Sequence, residues 1–152
     1  MTLSTDIYIK NKIDRGEVWQ FVNQSLGIPP TVKHNVTESG IDNLPAQGFM
    51  AWVMVHAPAS GEPERPTAAT CDEYCETPCD QQHDPPHWVR VNLDSTYGCN
   101  KKTGLSCTDI HKLVMRALRP WLHAKGNSFI WRNEFEGTLH ADTDETALEA
   151  FR

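Results

Sequence analysis

The most chemically distinctive part of this sequence is a cluster of cysteine and histidine residues, which reads CDEYCETPCDQQHDPPH. Its donor side chains recur every four residues, at Cys71, Cys75, Cys79, His83 and His87. Thiolate and imidazole are the ligands that structural zinc prefers, in a closed tetrahedral set of four. The cluster therefore predicts a structural zinc ion that cross-links this segment.

The choice of ligands within the cluster stays open, because five donors exceed the four that one zinc ion needs. Cys71, Cys75, His83 and His87 are the first choice, and Cys79 is then the spare donor. The spacing differs from the short C-x2-C knuckles of zinc fingers. Two other interpretations are a disulfide or redox pair within the cluster, and cysteines that have no special role.

Catalysis at such a zinc ion would need an open coordination position and a nearby general base. Carboxylates are available at Asp72, Glu73, Glu76 and Asp84. However, the H-E-x-x-H and H-x-E…P-C-x-x-C patterns of zinc enzymes do not occur. Glycine-rich phosphate loops and G-x-S-x-G are also absent. The sequence thus favours a protein without catalytic residues, with a zinc-dependent hydrolase as an alternative.

The composition indicates a cytosolic protein for which nucleic acid is not the expected partner. The net charge is −6, whereas nucleic-acid binders usually carry a basic face. The sequence starts without the apolar stretch of a signal peptide, and no run approaches the ~20 apolar residues of a membrane span. Cytosolic thiols stay reduced, and the odd number of five cysteines fits disulfides poorly. We therefore expect the cluster to bind metal.

The 152 residues fit a single domain, residues 1–152, that has to position this cluster. Residues 57–87 form an inserted Cys/His/Pro-rich loop, and a loop of this length inside a compact domain calls for a cross-link. Residues 138–152 form an acidic C-terminal tail, in which one helical turn is predicted at residues 145–151. The zinc ion would supply the cross-link of the loop.

Strands and helices are predicted on both sides of the loop. Strands are expected at residues 6–10, 31–37, 49–55, 88–93 and 129–135. The apolar run at 49–55 predicts a strand buried on both faces, and WVRVNL alternates as a half-buried strand does. A first helix is expected from Asp14, its N-cap, to Gly27.

The second predicted helix, residues 108–124, has the clearest periodicity, with Thr108 as its N-cap, Pro120 within it and Gly126 after its end. His111 lies beside its apolar face and is expected to be a hydrogen-bonded flanking residue. The order β-α-β-β-loop-β-α-β predicts an α+β, two-layer sandwich that is ferredoxin-like or related, with a zinc-stapled loop.

Several stretches together resemble a family of small proteins, with a central Cys/His loop, that are encoded by actinobacterial phages. These stretches are DIYIKNKIDRGEVWQFV, QGFMAWVMVH, HWVRVNLDSTYG, and CTDIHKLVMRALRPWLHAKG followed by WRNEFEG. The resemblance covers nearly the whole chain through order and spacing. It implies a phage gene that is expressed in the cytoplasm of a bacterial host, and it carries no implication for activity.

Two functions without catalysis suit a compact acidic domain with a stapled loop. The first is a binding protein that docks on a host or phage protein and alters the activity of that protein. The second is a virion component, such as a tail or head–tail completion protein. A zinc-dependent hydrolase that acts on nucleotides or nucleic acid is the catalytic alternative to these two functions. The binding surface and the oligomeric state do not follow from the sequence.

Overall fold

The computed structural model describes residues 2–29, 34–38, 40–43, 51–58, 60–63, 85–96, 104–134, 136 and 138–151. Within these residues the chain forms seven strands and three helices, so the predicted α+β class is confirmed. The strands are β1 (Thr2–Ile9), β2 (His34–Val36), β3 (Gly40–Asn43), β4 (Trp52–His56), β5 (Val89–Thr96), β6 (Phe129–Asn133) and β7 (His140–Ala141). The helices are α1 (Arg15–Ser25), α2 (Cys107–Ala124) and α3 (Glu145–Ala150).

The seven strands form one sheet in the order β2-β3-β4-β5-β1-β6-β7, and every neighbouring pair is antiparallel. The first strand of the chain is therefore an interior strand. Ile7 of β1 lies opposite Val91 of β5 on one side and opposite Trp131 of β6 on the other. This register brings side chains from three distant parts of the chain into one row across the sheet.

The two faces of the sheet differ because successive side chains of a strand point to opposite sides. On β5, Val89, Val91 and Leu93 are buried in a core that includes residues of α1 and α2. Arg90 and Asn92 point to the other face. The alternation that WVRVNL predicts is thus confirmed, and the helices of the described part of the chain lie on the side of the valines.

The strand β4 departs from its prediction. An apolar strand buried on both faces was expected, but only Val53 and Val55 are fully buried, and Trp52, Met54 and His56 are half-buried. The physical reason is that, among the described residues, no helix covers the face on which these three side chains lie. Residues 49 and 50 of the predicted strand lie outside the described part.

The caps of the two long helices follow from local hydrogen bonds. Asp14 is the N-cap of α1, as predicted, because its Oδ1 accepts a hydrogen bond from the Glu17 amide at 2.9 Å. Gly27, which follows this helix, has a φ of +69° that few other residues adopt. Such a left-handed residue commonly ends a helix.

The start of α2 was predicted wrongly, because Ser106 and not Thr108 is its N-cap. The Ser106 hydroxyl accepts a hydrogen bond from the Asp109 amide at 3.1 Å, and the Asp109 carboxylate accepts one from the Ser106 amide at 3.4 Å. This reciprocal capping box satisfies two amides of the first turn. The side-chain hydrogen bond with Ser106 also lowers the pKa of Asp109. The helix continues through Pro120, and Gly126 follows its end at a φ of +70°.

The acidic C-terminal residues join the domain. β7 pairs with β6, and the helix expected near residues 145–151 is α3. Leu148 and Phe151 are 3% and 2% exposed and belong to the hydrophobic core. Burying such side chains contributes about 1.5–3 kcal/mol each, so this segment is held by apolar contacts as well as by charge.

Candidate functional site

The structure describes one of the five predicted zinc ligands. Cys71, Cys75, Cys79 and His83 lie outside the described residues, whereas His87 lies just before β5. Among the residues that are described, no group of three or more His, Cys, Asp and Glu side chains is arranged to hold a metal ion. His87 is therefore the one predicted ligand whose position and contacts the structure describes.

His87 is 3% exposed, and its Nδ1 lies 2.7 Å from the carbonyl oxygen of Pro85. A carbonyl oxygen only accepts hydrogen bonds, so the ring donates its Nδ1 proton to Pro85. Histidine ligands of metals typically donate their second ring N–H to a carbonyl or carboxylate in this way. The hydrogen bond between Nδ1 and Pro85 is of the kind that a zinc ligand binding through Nε2 would make.

The ring of His87 also touches a polar cluster on the sheet face opposite the helices. Its centroid lies 5.1 Å from that of Tyr8, in an edge-to-face arrangement. The amide of Trp88 donates a hydrogen bond to the Ile9 carbonyl at 3.0 Å and ties this end of the loop to β1. The predicted ligand therefore lies at the border of a larger site.

We name this site the polar face cluster and define it as Asp6, Tyr8, Arg90, Asn92 and Arg132. Asp6 is its centre, since its Oδ1 accepts hydrogen bonds from Arg90 Nε at 3.1 Å and from Arg90 Nη2 at 3.0 Å. Asn92 Nδ2 donates a third hydrogen bond to the same oxygen at 2.9 Å. These bonds hold the guanidinium of Arg90 in a fixed orientation on the sheet.

Tyr8 lies close to both arginines of the cluster. The guanidinium carbons of Arg90 and Arg132 lie 5.9 and 5.4 Å from the centroid of its ring, within the range of cation–π attraction. Tyr8 is fully buried, whereas the side chains of Arg90 and Arg132 are 28% and 21% exposed. The cluster carries two positive charges and one negative charge. Its exposed part can contact carboxylates, phosphates or aromatic rings.

His111 forms a second polar group, which lies inside the core. It is fully buried, with Nδ1 2.7 Å from Thr5 Oγ1 and Nε2 2.9 Å from Ser95 Oγ. Burial lowers the pKa of His111 to about 4, so the ring is neutral at neutral pH. Thr5 and Ser95 are buried as well, and no substrate can reach this serine–histidine pair without unfolding the core. Its role is to join α2 to β1 and β5.

Most of these residues carry no motif that would single them out in the sequence. The alternation of WVRVNL was identified, but nothing in it connected Arg90 and Asn92 with Asp6, Tyr8 or Arg132. The signal in the sequence was the alternation of charged or polar residues with apolar ones within β-prone stretches. Their association depends on the order of β5, β1 and β6 in the sheet.

Comparisons of the chain with protein families, with curated proteins and with solved structures found no match. A search of the described helices found none that is both long and apolar enough to cross a membrane.

Proposed function

We propose that this chain is a phage-encoded binding protein without catalytic activity, which docks on a host or phage protein in the host cytoplasm and alters the activity of that protein. The observation that carries the proposal is the polar face cluster. It presents two oriented arginines on the sheet face opposite the helices. Arginine is among the residues most enriched in protein interfaces and in their energetic hot spots.

The cluster suits recognition because its side chains are already ordered. Arg90 is fixed by Asp6, and both arginines contact the buried ring of Tyr8. Ordering a long side chain on binding costs about 0.5–1.5 kcal/mol, and a pre-ordered arginine avoids much of this cost. Guanidinium groups also bind carboxylates and phosphates through two parallel hydrogen bonds. The expected partner therefore presents an acidic or aromatic group to this face.

We also propose a ferredoxin-like unit at the centre of the fold. The elements β1, α1, β4, β5, α2 and β6 follow one another in the chain, and the strands among them have the spatial order β4-β5-β1-β6. Two interleaved β-α-β units with antiparallel neighbours have this arrangement. β2, β3 and β7 then extend the sheet at its two edges.

A structural zinc ion completes the proposal. Four of the five donors Cys71, Cys75, Cys79, His83 and His87 would hold it, and the ion would cross-link the loop of residues 57–87. The orientation of His87 supports this role, because its Nδ1 is bound to the Pro85 carbonyl. The staple would fix the end of the loop next to Tyr8.

The test is affinity capture of the tagged protein from an actinobacterial lysate, read by mass spectrometry. The wild type is compared with the double variant Arg90→Ala/Arg132→Ala and with Gln24→Ala, which changes an exposed residue of α1. We expect a dominant host protein with the wild type and with Gln24→Ala, and its loss with the double variant. A partner that all three retain contradicts the assigned surface.

Two results of other experiments would replace the proposal. Recovery of phage structural proteins from infected cells, with the protein itself present in purified particles, would identify a virion component. Zinc-dependent hydrolysis of nucleotides or nucleic acid by the purified protein, lost on replacing an acidic residue near the cluster of cysteines, would identify a hydrolase.

A further inference from the structure

A cavity of about 370 Å³ lies beside α1 and shares no residue with the polar face cluster. Its wall includes Trp19 and Asn23 of α1, Ile28 just after this helix, and His34 of β2. Cavities that bind small molecules measure about 300–1,000 Å³. This one therefore has room for one small ring system, and the proposed function assigns it no role.

The side-chain amide of Asn23 is the unusual group in this wall, because only one of its two polar atoms has a partner. Nδ2 donates a hydrogen bond to the Trp19 carbonyl at 2.8 Å. Oδ1 is buried, and within the described part of the chain no group donates a hydrogen bond to it. The residue as a whole is 7% exposed. Buried polar atoms without a partner are few in native proteins, so this oxygen calls for an explanation.

Turning the amide of Asn23 over would not supply the missing partner. Exchanging Nδ2 and Oδ1 would place Oδ1 against the Trp19 carbonyl, and both of these oxygens only accept hydrogen bonds. The observed bond thus fixes which end of the amide has no partner. Because Asn23 belongs to the cavity wall, a small displacement of the wall on binding would bring Oδ1 to a donor in the cavity.

The other residues of the wall suit a flat, uncharged ring. The ring centroids of Trp19 and His34 lie 5.7 Å apart, with an angle of 45° between the ring planes, and aromatic side chains pack well against other rings. Ile28, which is buried, adds an apolar surface. None of the described residues that line the cavity is a lysine, arginine, aspartate or glutamate. A charged ligand would therefore lose its hydration without gaining an opposite charge.

We propose that this cavity binds a small, neutral, planar ring compound that carries a hydrogen-bond donor on its edge. The donor bonds to Asn23 Oδ1, and the ring packs against Trp19 and His34. A ring of the same shape without the donor leaves Oδ1 without a partner, and a site with such a buried polar group discriminates against it. This ligand site is additional to the docking surface on the polar face cluster.

The test uses indole as the probe and N-methylindole as its matched control, in which a methyl group replaces the N–H hydrogen. Binding to the full chain is followed by NMR of isotope-labelled protein, with the side-chain signals of Asn23 and Trp19 as reporters. Indole should shift both signals and bind with a Kd of the order of millimolar, as expected for a compound of this size. N-methylindole should bind at least fivefold more weakly.

Asn23→Leu removes the acceptor and keeps a side chain of similar size. Its affinity for indole should fall at least fivefold, whereas its affinity for N-methylindole should not fall, so the variant no longer separates the two probes. Ser25→Ala is the matched control. The Ser25 hydroxyl also donates a hydrogen bond to a carbonyl one turn earlier in α1, but Ser25 is not among the residues that line the cavity. This variant should bind indole as the wild type does.

Wild-type signals of Asn23 and Trp19 that indole leaves unshifted would overturn the proposal, and so would equal affinity of the wild type for the two probes. An unchanged preference for indole in natively folded Asn23→Leu would overturn it as well. The comparison of the two probes on the wild type decides the matter even if this variant does not fold. The capture test changes Arg90 and Arg132, neither of which lines the cavity, so the two proposals fail separately.

Discussion

The Nδ1 atom of His111 lies 2.7 Å from the hydroxyl oxygen of Thr5, a residue 106 positions earlier in the chain. The other ring nitrogen lies 2.9 Å from Ser95 Oγ. One imidazole thus joins α2 to two neighbouring strands inside the core. Because burial lowers the pKa of His111 to about 4, the ring stays neutral in the folded state over a range of pH in which an ordinary histidine becomes charged.

This burial predicts a loss of stability in acid. The ordinary pKa of histidine is 6.5, and the folded-state pKa of His111 is about 4. The stabilisation that comes from keeping the ring neutral is therefore complete above pH 6.5 and is lost as the pH falls toward 4. The linked change is on the order of 3 kcal/mol. Urea unfolding curves at pH 7.5 and pH 4 measure it.

The control for this prediction is His111→Gln, which has no titrating group at this position. We expect the variant to be less stable than the wild type at pH 7.5 but to lose less stability between pH 7.5 and pH 4. The difference between the two proteins isolates the contribution of His111 from that of the other titrating groups. Parallel pH profiles would contradict the prediction.

Removal of the Ser95 hydroxyl should destabilise the fold. Ser95→Ala leaves a ring nitrogen of His111 without its partner in a buried position, which typically costs about 1–3 kcal/mol. Ser25→Ala is the matched control, since the Ser25 hydroxyl donates a hydrogen bond to a carbonyl one turn earlier in its own helix. Its removal should lower the free energy of unfolding by less than about 0.5 kcal/mol.

A double-mutant cycle shows whether this effect passes through the imidazole. Because Ser95 and His111 share a hydrogen bond, Ser95→Ala should cost less in a His111→Leu background than in the wild type. Residues in direct contact usually show an interaction energy of about 0.5–3 kcal/mol. Additive effects of the two substitutions would show that the hydrogen bond contributes nothing measurable.

The capping box of α2 predicts different effects for two neighbouring residues. Ser106→Ala should lower the free energy of unfolding by about 1 kcal/mol, because the Asp109 amide loses its acceptor. Thr108→Ala should change the free energy of unfolding by less than about 0.5 kcal/mol, because the Thr108 hydroxyl lies 3.0 Å from Ser106 Oγ but is not the acceptor of the Asp109 amide. Thermal unfolding of both variants decides between Ser106, the observed cap, and Thr108, the cap predicted from the sequence. A larger effect at Thr108 would contradict the structure.

The zinc site predicts that metal content depends on the Cys/His cluster. Wild-type protein purified without chelators should contain a stoichiometric zinc ion by elemental analysis. Cys75→Ala and His87→Ala should each release it, because a structural site needs all four ligands. His34→Ala, which changes a histidine outside the cluster, should retain the metal. Wild-type protein without zinc would refute this part of the account.

Local patterns predicted the parts of the fold that local interactions determine. The acceptor at Asp14 and the apolar periodicity of α2 act within a few residues, and both predictions are confirmed. β3 and β7 were missed, since strands of four and two residues are too short to show an alternating pattern. The N-cap of α2 was misplaced because Ser106 and Thr108 are both good capping residues, and the position of Asp109 decides between them.

The candidate site was less accessible to sequence analysis because its residues meet only across the sheet. Asp6 contacts Arg90, which is 84 positions away, and their pairing requires the register of β1 with β5. Thr5 and Ser95 are small polar residues at core-facing positions, and neither reveals by itself that a histidine lies between them. Physical pairing of distant polar groups depends on topology, which local propensities do not contain.

The most direct test of the central claim measures how tightly the captured partner binds once it is purified. Isothermal titration calorimetry compares the wild type with Arg132→Ala and with the control Gln24→Ala. If the polar face cluster is the docking surface, Arg132→Ala should weaken binding at least tenfold, while Gln24→Ala should leave the affinity unchanged. An affinity that Arg132→Ala and the double variant Arg90→Ala/Arg132→Ala both leave unchanged would contradict the account.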